Sequence, residues 1–190
     1  MNDSPDRTVQ TTVTYLKMSA RPAHLPPMPM KPRLALMKAE RIPLHFYRYL
    51  YGAVGRSWLW VEREELSDAA LAAKIHRVGI EITVLYANGA PGGYYELDFT
   101  KPGRTNLAYF GLIPELTGMK IGPWLLGCAV RDAFSRGAEE VTVNTCTLDH
   151  PAALPLYQRL GFEPVRREPR RLKVPGHMTV PSHIAAAIPP

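Results

Sequence analysis

Apolar and polar positions alternate from Val9 to Met18 (VQTTVTYLKM), where Val, Thr and Tyr dominate, and this pattern predicts a strand. Arg33 to Ala39 alternates in the same way. From Pro43 to Gly52 the period changes: Leu44, Tyr47 and Leu50/Tyr51 recur at helical spacing behind a proline suited to a first turn. Ser67-Asp68 opens a second helix, alanine-rich through Ile75 and stopped by Gly79. Two apolar runs follow, Ile80–Ala87 and Gly92–Phe99, separated by Asn88-Gly89-Ala90-Pro91. Asn-Gly between such runs is a strong hairpin signal. Asn106–Leu112 reads as another strand. Ile121 to Arg136 is a helix with Leu125, Leu126, Ala129, Val130 and Ala133 on its apolar stripe, ended by Gly137. Glu140–Thr145 alternates as a strand, Pro151–Leu160 is a helix closed by Gly161, and Phe162–Arg166 begins a further strand. No internal repeat is present, and the mixture of periods predicts a single α/β (α+β) unit.

Composition sharpens this outline. The chain has 190 residues, enough for one well-buried core. Hydrophobic residues are 46% and charged residues 21%, an ordinary globular balance that excludes wholesale disorder. The formal charge of +6 raises polyanionic partners, but the excess is localised. Arg166, Arg167, Arg170, Arg171 and Lys173 against Glu168 leave the rest of the chain nearly neutral, so specific nucleic-acid binding is not expected. A nucleic-acid-binding domain is a rival reading that rests on basicity alone. The 19 prolines cluster too, between Pro22 and Pro32 and from Pro164 onward. These shifts suggest a polar tail at 1–8, one domain at 9–173 with a Pro-rich connector at 21–32, and a Pro-rich tail at 174–190. Cys128 and Cys146 are too few for a disulfide scaffold and lack metal or redox spacing. No apolar run approaches a membrane span and the first residues are polar, so a cytoplasmic setting without membrane contact is expected.

The chemistry concentrates between Gly111 and Phe162. Gly111 to Gly122 (GLIPELTGMKIG) places a strand end, a Pro-Glu, a glycine turn and a helix start in succession. Backbone N–H groups converge there on a helix N-terminus, the geometry for a phosphate or pyrophosphate. Downstream, Asn144 to Phe162 (NTCTLDHPAALPLYQRLGF) gives a strand, a polar turn, an alanine-rich helix carrying Tyr157, and Gly-Phe. In these two stretches the chain resembles the GCN5-related N-acetyltransferase (GNAT) superfamily. Leu112, Pro114, Gly118 and Gly122 match its V-x-P-x-x-(Q/R)-x-x-G-x-(G/A) turn. Ala153, Leu156, Tyr157, Gly161 and Phe162 match its N-x-x-A-x-x-L-Y-x-x-x-G-F helix. The stretches 45–66 and 145–162 further resemble a little-characterised bacterial branch, which supplies no substrate.

The resemblance implies a mixed, mostly antiparallel sheet flanked by helices and splayed where acetyl-CoA enters. It implies acetyl transfer to a primary amine by direct attack, with no metal. Leu112, Ile113, Thr117, Gly118, Met119, Lys120, Ile121, Gly122, His150, Ala153 and Tyr157 are the expected cofactor contacts. Tyr157 is the expected catalytic donor to the CoA sulfur, against a core-packing alternative. Full proton transfer from a phenol of pKa about 10 to a thiolate of about 8.5 is uphill, so hydrogen bonding to the developing thiolate is the safer role. Glu96 is the candidate general base, with Asp98 and Glu81 nearby; a plain hairpin glutamate is the alternative. Thr117 and Lys120 depart from the family's Gln/Arg and Gly, and Pro123 has no N–H. Lys120 either adopts glycine-like geometry, brings its ammonium to the pyrophosphate, or is merely solvated. These departures favour the alternative of a weak or inactive CoA-binding, regulatory protein. His150 either contacts the pantetheine arm, titrates near neutrality, or caps the helix with Asp149. Cys146 reads as inert, and His24, His45 and His76 lack metal-ligand spacing. Tyr47, Tyr49, Tyr51, Trp58, Trp60, Tyr94 and Tyr95 bracket the acceptor region. The acceptor is unspecified, being a small molecule, a peptide N-terminus or a protein lysine, and a homodimer is compatible with similar proteins.

Overall fold

The computed structural model describes residues 6–185. The expected tails at 1–8 and 174–190 therefore fall partly outside the described residues. Seven strands form one sheet: β1 (Arg7–Met18), β2 (Leu34–Ala39), β3 (Ile80–Ala87), β4 (Ala90–Lys101), β5 (Arg104–Leu112), β6 (Glu140–Cys146) and β7 (Glu163–Val174). Their order is β2-β3-β4-β5-β6-β1-β7, antiparallel throughout except for the parallel pair β5/β6. The helices are α1 (Leu44–Gly55), α2 (Asp68–Ile75), α3 (Ile121–Ser135), α4 (Ala153–Leu160) and the short α5 (Ser182–Ala185). This is the mixed, mostly antiparallel sheet flanked by helices that the motifs imply.

Helices cover both faces. On one side Tyr47, Leu50, Tyr51 and Val54 of α1, with Leu71 and Ile75 of α2, pack on Ile82, Val84 and Tyr94. On the other, Leu125, Leu126, Ala129, Val130 and Ala133 of α3 pack on Leu85, Tyr95, Leu97, Leu107 and Val143. Strands buried on two faces carry continuous apolar runs, which is why β3 reads ITVL without polar alternation. Asn88 and Gly89 close the β3/β4 hairpin with φ of 51° and 89°. This is a two-residue turn, so β4 begins at Ala90, two residues before the expected start.

Further boundaries differ from expectation: β1 begins at Arg7, inside the expected polar tail, and α1 runs on to Gly55. β5 starts at Arg104 and α4 at Ala153, each displaced by two residues. β7 runs on to Val174 and pairs with the full length of β1, Arg7 facing Val174. The basic residues are thus built into a strand, whose arginines gain neighbours across β1 that local periodicity could not show. Asp6 accepts from Lys173 at 2.7 Å and from Gly176 N–H at 3.1 Å. Val9, Leu59, Leu148, Val174 and Ile184 form a third small core, which ties part of the Pro-rich segment after β7 to the body.

One close approach fixes α1 against β5. A Cβ on Gly111 would stand 2.3 Å from Val54 Cγ1. Gly111→Ala should lower stability by about 1–3 kcal/mol, or roughly 2–12 °C in Tm. In calorimetry the Val54→Ala background should recover part of that loss; additive losses would show that the contact is not the cause.

Candidate functional site

The parallel strands β5 and β6 are paired only from Arg104/Glu140 to Leu107/Val143. Both then continue, to Leu112 and Cys146, with no further pair between them. β5 carries the cause. Its ladder with β4 passes from Leu97/Leu107 to Glu96/Tyr109, leaving Ala108 as an extra residue, and such a bulge bends the strand. The strands diverge into a wedge, where main-chain groups of residues 108–112 have no partner on the β6 side.

Two clefts open on the wedge. The first, about 370 Å³, runs between β5, the loop after it and α4. The second, about 430 Å³, lies over the sheet face built by β5, β6, β1 and β7. Trp58, Trp60, Phe110, Asp149 and Tyr157 line both and form the junction.

The loop between β5 and α3 is shaped by a short 3₁₀ turn at Pro114–Leu116, anchored by the buried Leu116. Gly118 then takes φ 83°, and Lys120 takes φ 60° and ψ 15°. Lys120 thus adopts the left-handed geometry that glycine supplies in the family motif, at a cost of about 1–2 kcal/mol. The amides of Gly118, Lys120, Ile121 and Gly122 make no turn or cap hydrogen bond, and no side chain caps α3. Such a cradle at a helix N-terminus attracts an anion. Pro123 removes one donor from it. Lys120 and Arg159 line this cleft and add positive charge at its edge.

Tyr157 sits on α4 with its ring against Phe110 and Phe162, at centroid distances of 6.2 and 5.9 Å. It is 6% exposed, and the residue faces both clefts. Burial, and then the Asp149 carboxylate, push its hydroxyl well above the ordinary phenol value. It is therefore a phenol, able to donate, throughout the neutral range. Asp149 is held by three donors: Thr145 Oγ1 at 2.7 Å, the Cys146 amide at 2.9 Å and Trp60 Nε1 at 3.3 Å. Sequence reading took it only for a cap. Its distinction is tertiary, because Trp60 arrives from the segment after α1.

Of the expected cofactor contacts, Leu112, Thr117, Gly118, Lys120, Gly122, His150, Ala153 and Tyr157 line the first cleft. Ile113, Met119 and Ile121 do not. Ile121 is fully buried in the core, Ile113 packs between the two main cores, and Met119 points to solvent at 42% exposure. His150 Nδ1 accepts from the Ala152 amide at 3.0 Å while its ring packs on Trp58 at 5.0 Å. It braces the turn before α4 without Asp149. Val54, Phe110 and Arg159 also line it without having been expected, as does Leu156, which the motif names without a site role. Leu156 lies three residues after Ala153 and Arg159 three after Leu156, and this helical spacing was the available signal.

Glu96 is the main correction. It has no exposed surface and does not reach either cleft. Arg63 holds both of its oxygens at 2.7 Å, and Tyr47 Oη donates to it at 3.0 Å. A carboxylate paired with a guanidinium and shut off from both clefts cannot meet a substrate amine. Its role is architectural: it neutralises Arg63, whose guanidinium lies 4.4 Å from the Tyr109 ring centroid. Tyr109 in turn donates to Glu62 at 2.9 Å, and both line the second cleft. Glu81 is likewise engaged, by Lys38 and Arg136, and Asp98 accepts from Thr100. Of the aromatic set, Tyr51, Trp58 and Trp60 line the second cleft, whereas Tyr47, Tyr94 and Tyr95 are core and Tyr49 is exposed. Cys146 lines that cleft half-buried, its thiol pushed up by burial and then by Asp149.

A strand pair parted over a wedge, an amide cradle at a helix start and a phenol on the next helix define an acyl-CoA-type transferase fold. The acetyltransferase (GNAT) family model matches residues 46–162, more than half of the chain, and the protein belongs to that family. The family's fold serves acyl-CoA-dependent acetyl transfer. Among solved structures, a GCN5-related N-acetyltransferase from Sphaerobacter thermophilus superposes with TM-score 0.61 at 18% identity, over 92% of this chain and 55% of its own. One from Kribbella flavida gives 0.59 at 17%, over 90% and 60%. A functionally unknown conserved protein from Staphylococcus epidermidis gives 0.53 at 14%, over 90% and 63%. At these identities the likeness concerns the fold, and the chain spans less than two thirds of those proteins. No curated protein matches the chain.

Replacing Glu96 tests its reassignment. Glu96→Gln leaves Arg63 buried without its counter-charge and should cost about 3–5 kcal/mol, lowering Tm by roughly 6–20 °C. A general base that faces solvent would instead lose rate with unchanged Tm.

Proposed function

We propose that this protein transfers the acetyl group of acetyl-CoA to a primary amine by direct attack. The observation that supports this most is the position of Tyr157, which faces both clefts at the point where β5 and β6 part. Acetyl-CoA supplies an acetyl thioester with a thiol leaving group. The free edge of residues 108–112 can pair an amide-bearing arm as a strand would, and the amides around Gly118 to Gly122, with Lys120 and Arg159, suit a pyrophosphate. Tyr157 donates a hydrogen bond where sulfur gains charge. With its hydroxyl raised above the ordinary phenol value, complete transfer of that proton is still less favourable, so Tyr157 stabilises charge and keeps its proton.

Direct attack forms the N–C bond, breaks the C–S bond and sends the electron pair to sulfur. The amine's proton needs an acceptor on its own side, and Asp149 is the carboxylate that faces both clefts. Cys146 retains its proton, which speaks against a covalent relay. A cytoplasmic setting fits the two unpaired cysteines, Cys128 and Cys146.

Calorimetric titration with acetyl-CoA and CoA should give saturable heat; no heat at millimolar ligand overturns the reading. Tyr157→Phe should lower kcat by about 10²-fold while CoA affinity holds. Because burial and Asp149 raise the Tyr157 pKa, rising pH should not ionise it below about 10. Any alkaline limb of the rate profile below that value should therefore persist in Tyr157→Phe. Binding of CoA without turnover in the parent protein would favour the regulatory alternative, to which the lost Pro123 donor and the strained Lys120 point.

A further inference from the structure

The second cleft carries a charge gradient. At the junction end stand Asp149 and Glu62 among Tyr51, Trp60 and Tyr109. Aromatic faces beside carboxylates suit an ammonium group. Its far end, on β7, is lined by Arg170 and Arg171. Arg170 donates to Tyr15 Oη at 2.9 Å, and Glu168 lies 2.8 Å from Arg166 and 3.7 Å from Arg170. One glutamate among these arginines leaves a surplus of positive charge. The cleft continues past Arg170 and Arg171 into a more open recess with Gln10, Thr11, Thr12 and Thr147, whose amide and hydroxyls can complete the coordination of an anion. Between the two ends the walls are mixed, with Val13, Leu148 and Leu172 apolar and Thr11, Tyr15 and Asn144 polar.

The strand ladder sets the span. Cys146, whose amide binds Asp149, faces Val13 on β1, and Val13 faces Glu168 on β7. Two strand spacings separate β6 from β7, about 10 Å, with Arg170 a further two residues along. A cleft of about 430 Å³ is of a size that holds a small molecule.

We propose that the acceptor is a small zwitterionic amine, its amino group at Asp149 and a carboxylate or similar anion at Arg170 and Arg171, joined by a spacer of several atoms. This rests on the acetyl-transfer reading for the identity of the cleft as the acceptor site, but its charge pattern stands without it. Asp149 fixes the ammonium end and then receives its proton, directly or through water. The arginines select the other end.

Three amines of equal length separate the terms: 6-aminohexanoate, hexylamine and 1,6-diaminohexane. Their binding is read by the fluorescence of Trp58 and Trp60 with CoA present, and their turnover by CoA release from acetyl-CoA. 6-Aminohexanoate should bind, and react, about tenfold better than hexylamine, with the diamine weakest. Arg170→Gln with Arg171→Gln should bring 6-aminohexanoate and hexylamine level while CoA affinity is unchanged. Equal or better use of hexylamine or the diamine by the parent protein overturns the proposal, as does a preference that survives the double variant or a failure of all three to bind. Discrimination in binding without CoA release would overturn the transfer reading and uphold the charge pattern. Release that favours the diamine would do the reverse.

Discussion

Four residue pairs hold β5 to β6, and after Leu107 and Val143 the ladder stops while both strands go on. A sheet interior does not normally leave such an edge unpaired, because each free N–H and C=O loses hydrogen bonding on burial. Here the bulge at Ala108 turns β5 aside, and the gap becomes a place where an extended ligand can supply the missing partners. The rest of the site follows from that parting. It exposes the start of α3 on one flank and places Tyr157 of α4 at its apex, with a sheet face left open beyond. Gly111 serves the same end, since its missing Cβ lets Val54 of α1 press onto the diverging strand.

The electrostatics are sorted by burial. Glu96 and Arg63 spend their charges on one another beneath the aromatic wall, and Tyr109 rests on the guanidinium so formed. Such a pair contributes geometry more than stability, because desolvation offsets much of its attraction. Asp149 stays partly exposed and keeps a face toward both clefts, with three donors fixing its carboxylate. Arg170 and Arg171 of β7 line the outer cleft and remain largely solvated. Negative charge thus stands at the junction of the two clefts, and positive charge at the outer end of the second and the edge of the first.

The elements themselves were legible. Helical spacing in α1 and α3, the Asn-Gly turn of the β3/β4 hairpin and the alternation of β1 and β6 are local properties that tertiary contacts did not override. The loop between β5 and α3 was legible for the same reason, since Pro114, Gly118 and the start of α3 act within a few residues. At Lys120 the φ of 60° shows that the residue takes the glycine-like backbone geometry, and its side chain still lines the first cleft. The side chains of Ile113, Met119 and Ile121 lie outside the cleft, because a motif gives the order of residues in a turn but not which side chains face inward. The length of β7 was hidden because its arginines and prolines do not alternate with apolar residues; only β1 beside them makes the strand.

The sequence by itself determined where the chain is helical or extended, where an anion-binding turn lies and which tyrosine follows it. Tertiary structure alone decided which carboxylate is available. Glu96 and Asp149 are equally acidic in the sequence, and one is consumed by Arg63 from a distant loop while the other is aimed by Trp60, Thr145 and Cys146. A side chain's chemistry depends on the partners and solvent around it, and those are fixed by contacts between segments far apart in the chain.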